Sequence, residues 1–166
     1  LTAEYYVRTI ATHLGIDWAN LRLFNTYGPG QTFTPYVGVI TIFVNRLKQG
    51  MPLIIFGDGQ QRRDFVHVSD IVRGWLAALD APAGVCGTFN IGTGRATSVN
   101  QLAAMLSGFM NVDLPSVYEA ARSTELRCSV ADISSAKNVL GYQPLETLET
   151  ALPATIEAII ATKAEE

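Results

Sequence analysis

Trp18-Ala-Asn-Leu-Arg-Leu-Phe24 decides how this chain is read. The run is strand-like and ends in a turn at Gly28-Pro29-Gly30. It is apolar at five of its seven positions. A strand buried on both faces wants neighbours in a parallel sheet. The other candidates are few, short and well separated: Leu53 to Phe56, Asp64 to Val68, Thr88 to Ile91, and one around Val117. They are too few to enclose the first. The expected fold class is therefore α/β, with part of the sheet supplied from outside this sequence.

Working back from that strand, Ala3, Tyr6, Val7, Ile10 and Leu14 recur at helical spacing, and Gly15 is a stop signal. The pattern starts in mid-helix with no initiator Met, so the helix is expected to continue upstream. A short native N-terminal helix whose Met was removed is the alternative. Working forward, Val39, Ile40, Phe43, Val44 and Leu47 line one helical face closed by Gly50. Ser69 is placed to cap a helix whose inner face would be Val72, Trp75, Leu76 and Leu79. Ser98-x-x-Gln101 is a capping box for a helix carrying Val99, Leu102, Ala103 and Leu106. Asp132 is placed to cap a helix stopped by Gly141. A last helix from about Thr147 turns Leu148, Leu152, Ile156, Ile159 and Ile160 inward, with Pro153 expected to kink it or delay its start.

At 166 residues there is room for one core, and 48% hydrophobic against 16% charged residues describes a globular, rather apolar chain. A net charge of −3 gives no global attraction to nucleic acid or anionic lipid. No apolar run reaches the roughly 18 residues that span a bilayer. Cys86 and Cys128 have no metal-binding or CxxC spacing and read as buried thiols in a reducing, cytoplasmic setting.

Three stretches could carry chemistry. Gly92-Thr-Gly94 follows a strand and precedes a helix, but Thr97 stands where a dinucleotide fingerprint has its third glycine, and no acid ends a second strand about 20 residues on. A tight turn into a capped helix explains it. Gly57-Asp-Gly-Gln-Gln-Arg-Arg-Asp-Phe-Val-His-Val-Ser-Asp70 could grip a diphosphate through its arginines. A solvated hairpin with Arg63 paired to Asp64 or Asp70 explains it equally well, and His67 reads as structural. Arg122-Ser-Thr-Glu-Leu-Arg127 could hold a phosphate and a ribose hydroxyl together, or form a loop salt bridge. Tyr5, Tyr6, Tyr27, Tyr36, Tyr118 and Tyr142 could serve as acids or bases only if something lowered their pKa, and none has a Lys four residues on. No metal-ligand spacing occurs.

Taken in order, Arg22-Leu-Phe-Asn-Thr-Tyr-Gly-Pro29, Gly38-Val-Ile-Thr-Ile-Phe43, the Gly57 to Val68 run, Phe89-Asn-Ile-Gly-Thr-Gly94, Ala131-Asp132 and Leu140-Gly-Tyr-Gln-Pro144 resemble the extended short-chain dehydrogenase/reductases. The resemblance is to the NAD-dependent epimerase/dehydratase branch that includes UDP-glucose 4-epimerase, and it runs from residue 1 to about 160. It implies a C-terminal fragment of a Rossmann-like protein, with residues 1–30 the last part of the Rossmann-like domain and 31–166 mainly a small mixed α/β substrate-binding region with returning sheet elements. The family's Tyr-x-x-x-Lys pair would fall just before Leu1, and its NAD fingerprint further upstream.

The resemblance also implies roles. Phe24 would touch the nicotinamide end of NAD through its backbone. Asn25 would hold a sugar-nucleotide phosphate, and Arg63 the diphosphate. Val39, Ile40, Ile55 and Phe56 would line the nucleotide pocket. Arg122 and Glu125 would grip phosphate and ribose, although Ser123-Thr124 stands where the family often has Pro-Gly. NAD is expected in the full-length parent, with no tight binding to this portion alone. The expected partners are a UDP-sugar and a second copy of the chain. The implied parent is a nucleotide-sugar 4-epimerase whose portion here is inactive alone. A 4,6-dehydratase or UDP-glucuronate decarboxylase fragment, and a non-catalytic binding or self-assembling module, are the alternatives.

Overall fold

The computed structural model describes residues 1–31 and 38–162. Tyr36 lies outside the described residues. Helix α1 (Thr2–Leu14) leads into β1 (Ala19–Leu23) and β2 (Asn25–Tyr27), followed by α2 (Val39–Lys48), β3 (Ile54–Phe56), β4 (Arg62–Arg63), β5 (Phe65–His67) and α3 (Val68–Leu79). Then come β6 (Gly87–Ile91), β7 (Thr97–Ser98), α4 (Val99–Met110), β8 (Val117–Glu119), β9 (Cys128–Ser129), α5 (Ser134–Leu140) and α6 (Leu148–Ala161). The class is α/β. No helix among the described residues is long and apolar enough to cross a membrane.

The apolar strand that opened the reading finds one neighbour: β1 and β6 pair in parallel, Ala19 opposite Gly87 through Leu23 opposite Ile91. β2 pairs with β5 and β3 with β8, both parallel, and β4 lies between β7 and β9. Alternation along β5 divides the interior in two. Phe65 faces a core built from α2, α4 and α6 with Tyr27, Leu53 and Ile55. Val66 faces a second core of Ile71, Phe89, Ile91, Ala136 and Tyr142.

The first core follows its sequence pattern. Ile40, Phe43, Val44 and Leu47 of α2 are buried, as are Val99, Leu102, Ala103 and Leu106 of α4. Ser98 and Gln101 form the capping box. Helix α6 starts at Leu148 under a Thr147–Thr150 box, so Pro153 does not delay it. Both Pro153 and Glu149, whose carbonyl it cannot bond, are exposed, leaving that carbonyl to water. Ile160 turns outward instead of into the core.

The second region departs from expectation. Helix α3 buries Asp70, Ile71 and Gly74; its expected inner face is outside, with Trp75 52% and Leu79 76% exposed. Gly74 fits this orientation, because a Cβ there would stand 2.9 Å from Ile91 Cγ2, and the bare backbone leaves room for that side chain. Helix α1 buries none of its residues, although Gly15 ends it in the left-handed conformation at φ 65°. It is tied down by polar bonds: Arg22 donates Nε and Nη2 to the Glu4 carboxylate at 2.8 and 2.7 Å, and Asn20 donates to the Glu4 carbonyl. His67, not Ser69, caps α3, its Nδ1 accepting from the Ser69 N–H. Asp132 accepts from the Ser134 N–H at the start of α5.

Candidate functional site

Two cavities open on either side of β4 and β9. The first, about 570 Å³, is lined by Arg22, Leu23, Phe24, Asn25, Asn90 and Ser129. The second, about 280 Å³, has Phe56, Asp58, Gln61, Arg122, Glu125 and Arg127 among its walls. Arg63 lines neither, but contacts residues of both. It stands opposite Ser129 in the β4–β9 register. Its Nη1 donates to the carbonyls of Arg62 (2.9 Å) and Leu126 (2.6 Å), and its Nη2 to Glu125 Oε1 (3.3 Å). Arg63 pairs with neither Asp64 nor Asp70, because both carboxylates are buried under other donors.

Around the second cavity, Arg122 lies flat on Phe56, its Cζ 3.8 Å from the ring centre. Arg127 is bound bidentately to Asp58 at 2.8 and 2.9 Å. That guanidinium, with the Gln60 N–H, holds the Asp58 carboxyl below its usual pKa. Of the expected pocket wall only Phe56 lines this cavity; Val39 is half-buried against the core, and Ile40 and Ile55 sit in the core at 2% and 1% exposure. In the first cavity Asn25 is exposed. Phe24 is half-buried, its N–H donated to the Ile91 carbonyl and its own carbonyl accepting from the Thr26 hydroxyl.

Asp64 explains the Gly92-Thr93-Gly94 turn. Its Oδ1 accepts from the Thr93 N–H (2.9 Å) and hydroxyl (2.6 Å), and its Oδ2 from the N–H groups of Gly94 (2.9 Å) and Ala131 (3.1 Å). A Cβ on Gly92 would stand 2.7 Å from Oδ2. The turn is thus an anion cradle already filled by a side chain. It does not fit the phosphates of a dinucleotide, because the Asp64 carboxylate already takes its donors.

The remaining candidates are structural. Burial pushes the phenols of Tyr27 and Tyr142 well above their usual pKa, the opposite of what a base requires. Tyr142 donates to the Gly92 carbonyl and Tyr27 to that of Thr147. His67 bonds Ser69 and stands edge-on to Tyr27. Cys86 and Cys128 are exposed, not buried, since one lies in the turn before β6 and the other on a two-residue strand. Among the described residues no group of His, Cys, Asp and Glu could hold a metal.

Sequence reasoning missed Arg22, Asn90 and Ser129 in the first cavity and the Asp58–Arg127 pair beside the second. Alternation could have found the strand residues: Arg22 and Asn90 lie opposite each other and share the pleat face turned away from Phe89 and Ile91. No local signal links Asp58 to Arg127, 69 residues apart.

The fold is a framework of α-helices and mainly parallel strand pairs, with Arg22 lining one cavity, Arg122 and Arg127 the other, and Arg63 in contact with residues of both. The family described as NAD dependent epimerase/dehydratase matches residues 1–92. A putative UDP-glucose 4-epimerase of Methanocaldococcus jannaschii is 36% identical over 141 residues, 85% of this chain and 45% of that protein. The structure of UDP-glucose 4-epimerase with UDP-glucose from Thermotoga maritima superposes with a TM-score of 0.88 at 39% identity, covering 96% of this chain and 51% of that one. UDP-glucuronic acid 4-epimerase from Bacillus cereus, in complex with UDP-glucuronic acid and NAD, gives 0.85 at 30% identity, with 95% and 49% covered. This chain belongs to the NAD-dependent epimerase/dehydratase family, and it spans about half the length of the relatives it matches.

Proposed function

We propose that this chain is the sugar-nucleotide-binding, C-terminal portion of an NAD-dependent nucleotide-sugar 4-epimerase of the UDP-glucose 4-epimerase kind. The observation that carries the reading is Arg63, set between two cavities where a diphosphate joins a sugar to a nucleoside. Asn25 stands on the sugar side. Phe56, Arg122 and Glu125 stand on the nucleoside side, with Arg122 for phosphate and Glu125 for ribose hydroxyls. In this reading residues 1–30 belong to the Rossmann-like domain, and 31–166 form the substrate region, from which β6 returns to pair with β1. NAD supplies reversible oxidation of the sugar carbon, and the Tyr and Lys that move the proton lie outside this chain.

Calorimetry with UDP-glucose on the wild type and Arg63→Ala tests the site; weak binding that the substitution abolishes is expected, and equal heats from both remove Arg63 from it. The chain alone is expected to show no conversion of UDP-glucose to UDP-galactose, and turnover by the purified chain overturns that part of the reading. The exposed apolar faces of α1 and α3 support a further element of it, self-association of this portion in solution.

A further inference from the structure

The three arginines beside the nucleoside-side cavity are not equally available. Arg127 is held bidentately by Asp58 at short distances, and both of its bonds are well made. Arg122 rests on Phe56, and no ion pair holds it among the described residues. Arg63 is intermediate. Two backbone carbonyls grip its Nη1, while its Nη2 reaches the Glu125 carboxylate at 3.3 Å, longer than a well-made charged hydrogen bond of about 2.7–2.9 Å. The carbonyls therefore fix the plane of the guanidinium, and the carboxylate is the replaceable partner. The side chains of Arg63 and Glu125 are 17% and 28% exposed.

We propose that Glu125 is a specificity-determining internal competitor: its carboxylate pairs with Nη2 of Arg63, so that an anion taking that group competes with it. This inference rests on the reading of Arg63 as the diphosphate ligand. A bare diphosphate takes Arg63, leaves Glu125 without its cation, and adds phosphate charge beside it. A nucleoside diphosphate displaces the same carboxylate but offers it a pair of ribose hydroxyls as donors. The ion pair thus penalises inorganic phosphates, which have no hydroxyl pair to return, relative to ribonucleotides. Selectivity arises from the penalty on the wrong ligand as much as from contacts to the right one.

The test is titration of the chain with inorganic diphosphate and with UDP at low ionic strength, in the wild type, Glu125→Gln and Arg63→Ala, followed by calorimetry and by amide shifts. Matched thermal melts establish that each variant is folded. Glu125→Gln is expected to bind diphosphate about threefold to fivefold more tightly than the wild type, and UDP no more tightly, so the preference for UDP falls. Unchanged or weaker diphosphate binding by Glu125→Gln, while Arg63→Ala weakens both ligands, overturns the competitor role and leaves the site intact. Ligand binding that Arg63→Ala does not alter overturns the site itself. Silence of both the wild type and Glu125→Gln toward diphosphate also overturns the proposal.

Discussion

The region around α2, α4 and α6 and the region around β1 and β6 are made from the same kinds of residue, and they end differently. In the first, apolar stripes meet one another: Leu102, Leu106 and Leu152 are fully buried. In the second, one pleat face of the β1–β6 pair is closed by Ile71, Ala136 and Tyr142, while the helical stripes beside it remain uncovered. Tyr6, Ile10 and Leu14 of α1, and Trp75, Leu76 and Leu79 of α3, are exposed. An apolar stripe is a demand for a partner, and the demand is met only where this chain itself supplies one. The candidate site residues lie near the join: Phe56 ends β3, Arg63 is on β4, Asn25 on β2, and Arg122 and Glu125 stand between β8 and β9.

Asp64 is the strongest point of that join, and the largest effect is expected there. It is fully buried and accepts four hydrogen bonds, from Thr93, Gly94 and Ala131. Asp64→Ala strands those donors and is expected to cost about 3–5 kcal/mol of unfolding free energy in urea. Asp64→Asn keeps one acceptor oxygen and should cost less. A loss under about 1 kcal/mol for Asp64→Ala would break the comparison, because it would show that the two regions are joined by packing and not by this carboxylate.

What was legible in the sequence follows the same division. The α4 capping box and the α6 stripe are local patterns, and they folded as written except for Ile160, which turns outward. The face of α3 was misread because Val72, Trp75, Leu76 and Leu79 have the spacing of a core stripe; periodicity marks which residues share a face and is silent on whether a neighbour exists. Only Gly74 hinted at the true contact, since a glycine inside a helix marks close approach. Asp64 read as a charge beside Arg63, whereas its partners are three backbone N–H groups and the Thr93 hydroxyl, 29 to 67 residues away. The meeting of Arg63 with Glu125 was likewise beyond spacing. The residues alone offered Arg122 either a phosphate or a loop salt bridge, and the role given to Asn25 rested on resemblance.

Helix α1 offers a sharper and more local contrast, because polar bonds rather than burial hold it. Arg22→Ala is expected to raise amide exchange throughout residues 2–14 while leaving α4 and α6 protected. Acid should do the same. The hydrogen bond from Arg22 lowers the Glu4 pKa below its usual value. A carboxylate whose folded-state pKa is depressed contributes above its unfolded pKa, and loses that contribution as the pH falls through the folded value. Protection of α1 is therefore expected to be full at neutral pH and to fall below the ordinary carboxylate range, and Arg22→Ala should remove this pH dependence. Equal protection in the variant would mean that apolar contact anchors the helix after all.

The smallest effect is expected on the uncovered face itself. Leu79 is among the most exposed apolar side chains, and Leu76 lies one turn before it. In a lone chain, replacing either by Ser removes little buried surface, so Leu76→Ser and Leu79→Ser should each change unfolding free energy by no more than about 0.5 kcal/mol. The equivalent change in the other region, Leu152→Ala, should cost about 2–5 kcal/mol, since that side chain is fully enclosed. Light scattering adds a second axis. If copies of the chain cover one another through α3, Leu79→Ser lowers the associated fraction, and its stability becomes concentration-dependent to a smaller degree than in the wild type. A wild type that stays monomeric at high concentration, together with a Leu79→Ser loss as large as that of Leu152→Ala, would erase the contrast. The exposed stripe would then be packed in solution by this same chain.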